Sequence, residues 1–410
     1  MASPKLRFKE FDGAWSKSSI LDLSKEKALN NGVFNDQNKV GKGYKLINVL
    51  DMYIERDIDE ARLSLLDLDA KEFERNKVKY GDIFFTRSSL VKEGIAFSNV
   101  YLGNANDVTY DGHLIKLSPD LERIDPIFLN FSLKTENVRK QLIQGGKTAT
   151  MTTIGQKEVG SCQLDIPSKE EQTKIASFLS SVDEKISQLT QKHELLSQYK
   201  QGMMQKLFSQ QIRFKADDGS EFGEWETKTL GEMGENIIGL TYSPTDVTTD
   251  GTGILVLRSS NIKNGRLDKD DQVRVNKSIK DRIIIQPNDI LICTRNGSQR
   301  LIGKSVLIND TERMTFGAFM SVYRSPYNQF ISYLMQTPWF FEQVQMNLGA
   351  RINQITTGTL NEFTFDFPSL EEQTKIANFL SAIDQKIEVV AQQIEQAKEW
   401  KKGLLQQMFV

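Results

Sequence analysis

The stretch DIPSKEEQTKIASFLSSVDEKI at residues 165–186 returns as DFPSLEEQTKIANFLSAIDQKI at residues 366–387, which is 201 residues later. Of the 22 aligned positions 16 are identical, whereas chance would give about one match. The chain is therefore predicted to contain two copies of one plan, each a globular head followed by a long helix. The heads share only scattered residues, so a nearly constant scaffold carries two different heads.

Both copies of the repeated block carry the signals of a long, partnered helix. Ser168 precedes Glu171 by three residues, and Ser369 precedes Glu372 in the same way, which is the spacing of a capping box. Apolar residues then recur at intervals of three and four: Val182, Ile186, Leu189, Leu196, Met203 and Leu207 in the first copy, and Ile383, Ile387, Val390, Ile394, Ala397, Leu404 and Met408 in the second. His193 and Lys200 fall on the first seam, and Lys401 interrupts the second. A helix over 169–208 would be about 60 Å long and unstable alone, so the two helices are predicted to pair antiparallel.

The heads show short β-branched and aromatic segments that predict mixed α/β domains. The predicted strands are 44–50, 82–86, 95–102 and 113–117 in the first head, and 254–258, 289–294, 302–308 and 319–323 in the second. A helical stretch follows in each, at 126–142 and 329–347. The predicted class is α+β: two mixed α/β domains separated by two long helices that pair as an antiparallel coiled coil, with an internal pseudo-twofold repeat. The predicted domains are a first head at 1–165, a first spacer helix at 166–211, a second head at 212–366 and a second spacer helix at 367–410.

Composition excludes several classes of protein. A net charge of -2 argues against a protein that coats nucleic acid through bulk positive charge, although local basic clefts remain possible. Cys162, Cys293, His113 and His193 do not lie at metal-ligand spacing. The sequence predicts no membrane span and no secretory signal, and hence a cytoplasmic protein. Two Gly-Lys pairs fail the spacing of a phosphate-binding loop, and no convincing catalytic constellation or cofactor site is found, so the chain is predicted to be non-catalytic.

Polar and basic loops recur at matching places in the two heads, and their side chains are the types that read base edges and bind phosphates. The first set follows a strand and comprises Arg87, Ser88 and Ser89 in the first head, and Arg295, Asn296, Ser298, Gln299 and Arg300 in the second. The second set precedes the repeated block and comprises Lys147 and Thr148, against Arg351, Asn353 and Gln354. The third set comprises Lys42, Lys45 and Asn48, against Arg258, Ser259 and Asn261. For any single residue an ordinary solvated loop is about as good an explanation; recurrence in both heads favours a DNA-binding role for the set.

The paired heads, the twice-occurring P-S-x-E-E-Q-T-K-I-A-x-F-L-S block, and the G-D-I and N-D-I steps followed by Thr-Arg resemble a type I restriction-modification specificity subunit over essentially the whole chain. The resemblance implies that each head is a target recognition domain for one half of a bipartite, asymmetric double-stranded DNA site. It also implies partners: two modification subunits that methylate adenine with S-adenosylmethionine, and restriction subunits that use ATP. No cofactor is expected in this chain itself.

The same resemblance implies that the starts of the two spacer helices help to seat the modification subunits. The residues expected there are Glu171, Gln172, Ile175, Phe178 and Leu179 in the first copy, and Glu372, Gln373, Ile376, Phe379 and Leu380 in the second. The alternative function is a non-catalytic coiled-coil adaptor without DNA readout, which explains the helices and leaves the paired loops without a role.

Overall fold

The computed structural model describes residues 4–54, 56–348 and 353–410. In it the chain forms two compact units that are built from similar secondary-structure elements. The first unit runs to Gln191 and also includes Ala391–Val410, and the second is Lys192–Val390. Each unit therefore contains one head, the adjoining half of one long helix and the distal half of the other.

The first unit contains the following elements. Its strands are β1 (Ser16–Ser19), β2 (Ser24–Asn31), β3 (Val40–Ile47), β4 (Ser64–Leu66), β5 (Ile83–Thr86), β6 (Ser88–Ser89), β7 (Ser98–Val100), β8 (Val108–Tyr110), β9 (Leu114–Pro119), β10 (Lys147–Thr148), β11 (Thr152–Thr153) and β12 (Gln163–Ile166). Its helices are α1 (Ile20–Leu23), α2 (Ala70–Arg75), α3 (Pro126–Leu133), α4 (Glu136–Gly145), α5 (Gln156–Gly160) and α6 (Lys169–Phe208), of which α6 continues into the second unit.

The second unit follows a similar plan, with more short strands before its central strand and without a counterpart of α2 among the described residues. Its strands are β13 (Glu226–Thr229), β14 (Glu235–Ile238), β15 (Val247–Thr248), β16 (Ile254–Leu257), β17 (Ile262–Lys263), β18 (Arg266–Leu267), β19 (Arg274–Val275), β20 (Ile290–Cys293), β21 (Ser305–Leu307), β22 (Met314–Phe316), β23 (Met320–Arg324) and β24 (Thr364–Phe367). Its helices are α7 (Leu230–Met233), α8 (Asn328–Leu334), α9 (Pro338–Met346), α10 (Thr357–Glu362) and α11 (Leu370–Met408), of which α11 continues into the first unit.

The central sheet of each head has four strands in the same order. The order is β2-β9-β5-β7 in the first head and β14-β23-β20-β21 in the second, with antiparallel pairing throughout. A second sheet contains a parallel pair, β3 with β8 and β16 with β22. The short pairs β1–β12 and β13–β24 tie the entry of each head to its exit strand. The predicted α+β class and duplicated plan are confirmed.

The helical stretch of each head is not the single helix predicted from the sequence. Residues 126–142 divide between α3 and α4, and residues 329–347 divide between α8 and α9. The break falls at Thr135 and Thr337, whose hydroxyls donate to the carbonyl oxygens of Ser132 at 2.7 Å and Leu334 at 2.6 Å. Such local side-chain bonds compete with the helical ladder, and Pro338 then starts α9.

The long helices begin and end as the repeat predicts, and their apolar seams are buried. Residues 169–191 of α6 share the first unit with residues 391–408 of α11, and Val182, Ile186, Leu404 and Met408 lie in its core. The second unit combines residues 192–208 with residues 370–390. Within each unit the N-terminal half of one helix thus accompanies the C-terminal half of the other, which is antiparallel pairing. This part of the prediction is confirmed.

Candidate nucleic-acid interface

In the first head, a small three-stranded sheet brings two of the predicted polar sets together. Strand β11 pairs with β6 on one side and with β10 on the other. Thr153 of β11 therefore lies between Ser88 of β6 and Lys147 of β10. The hydroxyls of Thr148 and Thr152 lie 3.0 Å apart. The loop after the central strand β5 and the loop before the repeated block therefore form one polar surface, although about 60 residues separate them in the chain.

The second head joins the same two sets by a different pattern of bonds. Arg295 forms a β-bridge with Gln354, and the backbone N–H of Asn296 donates to the carbonyl of Asn353 at 3.2 Å. The side-chain amide of Asn353 in turn donates to the carbonyl of Gly297 at 3.1 Å. Arg351, which was also expected at this surface, lies outside the described residues.

Arg87 and Arg295 are not equivalent, although both follow a Thr. The backbone N–H of Arg87 donates to the carbonyl of His113, and that of Thr294 donates to the carbonyl of Phe319. Arg87 therefore occupies the position of Thr294, and Arg295 occupies that of Ser88, because the Thr-Arg pair stands one residue farther along the chain from the Asp-Ile step in the second head. The Thr-Arg likeness in the sequence is a coincidence of register.

The exposed members of these sets differ in how freely their charge can act. Lys147 has an 82% exposed side chain, and its ammonium lies 3.4 Å from Glu158. Arg87 is exposed at the surface. The guanidinium of Arg295 lies 4.8 Å from the centre of the Phe319 ring, a cation–π contact that orients its donors. Gln299 and Arg300 are also exposed, on a short 3-10 turn that covers Gln299–Leu301.

The third set is largely structural in the second head. Asn261 is fully buried; its side chain accepts from the backbone N–H of Arg258 at 2.8 Å and donates to the carbonyls of Asp268 and Asp271, both at 2.8 Å. The guanidinium of Arg258 is held at 2.6 Å by Asp271. Ser259 alone contacts the first set, because the side-chain amide of Asn296 donates to its hydroxyl at 3.0 Å. The polar atoms of the Asn261 side chain are therefore used within the turn, where they hold its shape.

In the first head, the third set is also held by internal partners. Lys45 lies 3.0 Å from Glu60 and 3.4 Å from Asp107. The side-chain amide of Asn48 donates to Ser64 at 2.7 Å, beside a cleft whose lining includes Asp111. Lys42 remains 78% exposed, at 3.0 Å from Asp67.

The Asp of the repeated Asp-Ile step has a structural role, which the sequence pattern alone did not reveal. Asp82 is buried at the start of β5 and lies 3.6 Å from the buried Lys116, whereas Asp289 at the start of β20 receives both ends of the Arg324 guanidinium, at 2.9 and 2.6 Å. Burial raises the pKa of Asp82 and lowers that of Lys116. These pairs anchor the strands that deliver the polar loops.

The residues expected to seat a partner are mostly buried within the chain itself. Glu171 is 1% exposed and receives the Arg7 guanidinium with two contacts of 2.7 Å; Glu372 is fully buried and receives Arg213 at 3.0 and 2.6 Å. Six more of the expected residues are buried as well: Gln172, Ile175, Leu179, Gln373, Ile376 and Leu380. In this conformation the block fastens each head to its helix rather than offering a docking surface. The carboxylate of each of these Glu residues therefore binds an arginine of the chain entering the head, a use that the capping-box spacing did not predict.

A partly exposed aromatic surface lies beside each block, and of its rings only Phe178 and Phe379 were expected from the sequence to meet a partner. In the first unit the rings of Phe8 and Phe178 lie 5.8 Å apart, and Phe178 lies 6.1 Å from Trp400, which is 54% exposed. In the second unit Phe214 and Phe379 lie 5.6 Å apart. The counterpart of Trp400 on α6 is Tyr199, which is 50% exposed. We call these the first and second aromatic faces. The helix residues of the two faces, Phe178 with Phe379 and Tyr199 with Trp400, are each 201 residues apart, and this spacing could have revealed them.

Across residues 4–54, 56–348 and 353–410, no cluster of His, Cys, Asp or Glu could hold a metal ion. Both cysteines are buried and unbridged, and burial raises the pKa of each thiol to about 11. No helix among the described residues is long and apolar enough to cross a membrane.

Comparison with known proteins identifies matches over the whole chain. The model of the type I restriction modification DNA specificity domain matches residues 15–198 and again residues 223–399. A putative type I restriction enzyme specificity subunit, MjaX of Methanocaldococcus jannaschii, is 26% identical over 98% of this chain and 94% of its own length. The MjaVIII specificity subunit of the same organism is 24% identical over 77% of this chain and 76% of its own. A solved type I restriction-modification S subunit from M. genitalium covers 100% of this chain and 99% of its own with a TM-score of 0.61 at 15% identity.

Proposed function

Because the chain belongs to the family of type I restriction-modification DNA specificity domains, we propose that each of its heads reads one half of a split DNA target through the polar surface described above. The chain is the specificity subunit of such a system and is not itself catalytic. The observation that carries the proposal is the meeting of two separate polar loops at one surface in each head. Because the target of this chain is the DNA of the cell, the complex is proposed to act in the cytoplasm.

The structure narrows the set of residues proposed to contact DNA. Four basic side chains are each either exposed to solvent or held in one orientation by a ring: Arg87, Lys147, Arg295 and Arg300. Arginine is the side chain that pairs bidentately with guanine. Further hydrogen-bond donors and acceptors near Arg295 come from five polar residues: Asn296, Ser298, Gln299, Asn353 and Gln354. Lys45, Arg258 and Asn261 are not among the proposed contacts, because the first two are ion-paired and the side chain of Asn261 is bonded within its turn.

The two heads differ at every one of these positions, so their half-sites are proposed to differ in sequence. Identical heads on a twofold frame would read a palindrome, whereas unlike heads read an asymmetric target. The non-equivalence of Arg87 and Arg295 deepens this difference, because the two arginines approach from different positions of the same loop.

The test of the DNA surface is Arg295→Ala in the complete complex. If Arg295 makes a bidentate base contact, the substitution removes about 1–3 kcal/mol of discrimination at one base pair and relaxes the second half-site there. Sequencing of methylated adenines reports both the motif and the rate. Arg313→Ala is the control, since Arg313 is an exposed arginine of the same head outside these loops. An unchanged motif and rate for Arg295→Ala would contradict the assignment.

The aromatic faces are the proposed docking sites for two modification subunits. In the first face the exposed Trp400 of one long helix meets Phe178 of the other, which packs on Phe8 of the chain entering the head. Lys174 lies 5.4 Å from the centre of the Phe8 ring. The second face has the ring pair of Phe214 and Phe379, and Tyr199 stands at the repeat position of Trp400. Exposed aromatic residues carry much of the binding energy in protein interfaces. Because the internal repeat duplicates the face, the proposed stoichiometry is two modification subunits, which restriction subunits then join.

Truncation of one face at a time tests this proposal. Trp400→Ala and Tyr199→Ala are each expected to weaken one docking site by about 2 kcal/mol or more. Native mass spectrometry of the reconstituted complex should then show one bound modification subunit where the unaltered chain binds two. Trp339→Ala, at a 36% exposed tryptophan of α9, is the matched control. Two bound subunits in both variants would refute the docking assignment.

A further inference from the structure

Each seam lysine of the long helices is held by an aspartate of the other helix. In the first unit the ammonium of Lys401 lies 2.5 Å from Asp183, and the two side chains are 20% and 12% exposed. In the second unit Lys200 lies 2.7 Å from Asp384. Lys200 and Lys401 are 201 residues apart, as are Asp183 and Asp384, so the two pairs are the same contact in two copies.

Each pair also rests on an aromatic ring of the head. Lys401 lies 5.5 Å from the centre of the Phe131 ring in α3, and Lys200 lies 5.1 Å from that of Tyr333 in α8. The Tyr333 hydroxyl further donates to Asp384 at 2.8 Å. We define the first neck joint as Asp183, Lys401 and Phe131, and the second as Asp384, Lys200 and Tyr333. Each joint connects both long helices to one head.

The apolar seam alone does not determine how far one helix slides along the other. Because its apolar positions recur every seven residues, a slip by one heptad again places apolar side chains together. The lysines do not tolerate that slip. It would place Lys401 opposite Ala176 or Thr190, and Lys200 opposite Ala377 or Ala391, none of which is a carboxylate. A partly buried lysine without its partner is strongly unfavourable.

We propose that the two neck joints are positioning groups that select one register of the helix pair and one seating of each head upon it. This inference rests on the proposed function, because the register then sets the number of base pairs between the half-sites. A slip of one heptad moves the helices by about 10 Å, which corresponds to roughly three base pairs of duplex. The joints would thus make the gap unique, while the loops of the heads choose the bases.

Charge reversal at the first joint tests the proposal without DNA. Asp183→Lys replaces the carboxylate by a third amine beside Lys401 and Lys134. Adding Lys401→Asp then restores an opposite pair in reversed order. Spin labels on cysteines introduced at the exposed Gln188 and Gln396 report the spacing of the helices beside the joint. The unaltered chain and the double reversal should each give one narrow distance distribution, and the single reversal a broadened or displaced one. Glu194→Lys, the same change at an exposed position of α6, is the control and should leave the distribution narrow.

The same variants in the complete complex report the gap. Asp183→Lys is expected to lower methylation of the original motif at least tenfold, or to add motifs with the same half-sites and other gaps, and Lys401→Asp should restore the original motif. A single reversal that keeps both the narrow distribution and the unique gap would overturn the inference. An unaltered chain that gave no bipartite motif would instead refute the proposed function, and the spin-label result would still decide whether the joints fix the register.

Discussion

Lys134 shows how one residue distinguishes two otherwise matching sites. It lies at the first neck joint, where burial and the neighbouring Lys401 lower its pKa from 10.5 to about 8. The corresponding residue of the second unit is Gln336, which is uncharged and accepts from Lys200 at 3.5 Å. The first joint therefore holds two lysines around Asp183, and the second holds one lysine with an amide and a tyrosine hydroxyl.

The pH dependence of stability follows from that lowered pKa. Between about pH 8 and 10.5 the amine of Lys134 is neutral in the folded unit while the unfolded chain still binds the proton, so stability should rise with pH in this window. Below pH 8 the charge is present in both states and its unfavourable effect is complete. Lys134→Gln, which copies the second unit, is expected to stabilise the chain at pH 7 and to remove that rise.

Denaturant unfolding at pH 7 and pH 9.5 measures both effects. Lys140→Gln is the control, because it removes the same charge at a side chain that is 66% exposed and paired with Glu136. If the unaltered chain and Lys134→Gln gained the same stability between the two pH values, Lys134 would not be the group responsible.

At the scale of the elements, the helix pair combines a buried apolar seam with one neck joint in each unit. The stretch between the joints is 183–200 in α6 and 384–401 in α11. If only one helix changed in length, the Lys–Asp pair of one joint could form but that of the other could not. Both helices must therefore change together if the distance between the joints is to change without breaking either.

A matched insertion of seven residues after Gln188 and after Glu395 meets this condition. It preserves the heptad phase of both seams and lengthens the pair by about 10 Å, so the gap between the half-sites should grow by roughly three base pairs while the half-site bases stay the same. Sequencing of methylated DNA checks both. The insertion after Gln188 alone is the comparison, and it should abolish or scatter the gap. A matched insertion with the original gap and full activity would show that the helices do not measure the DNA.

At the scale of the whole molecule, charge limits what the chain can do alone. A net charge of -2 gives little overall attraction to a polyanion, and much of protein–DNA affinity comes from neutralised phosphates. The basic residues proposed to contact DNA lie on local polar surfaces of the heads. We therefore expect tight binding of the target to require positive surface contributed by the partners.

Binding of a target duplex at physiological salt should consequently be much weaker for the purified chain than for the complex with modification subunits. Fluorescence anisotropy with matched target and scrambled duplexes measures affinity and specificity together. The complex should also show the steeper dependence of affinity on salt, because it neutralises more phosphates. Equal affinity and equal salt dependence of the chain and the complex would contradict this account.

The sequence by itself determined the duplication, the long helices, the α+β class and the family, because these depend on periodicity and on repeated motifs that are local in the chain. It also indicated the loops that meet at the polar surface. It could not distinguish an exposed polar side chain from one used internally, so Asn261 and the start of each long helix were assigned to binding although both are buried.

Only the tertiary structure decided which polar groups are free, because their partners lie far away in sequence. Arg7 finds Glu171 across 164 residues, and Lys401 finds Asp183 across more than 200. The seam lysines looked like interruptions of a coiled coil when read along the chain. In three dimensions each has a carboxylate and a ring as partners, since packing brings both helices and a head to one point. The register of the helix pair is therefore a property of the folded molecule rather than of either helix alone.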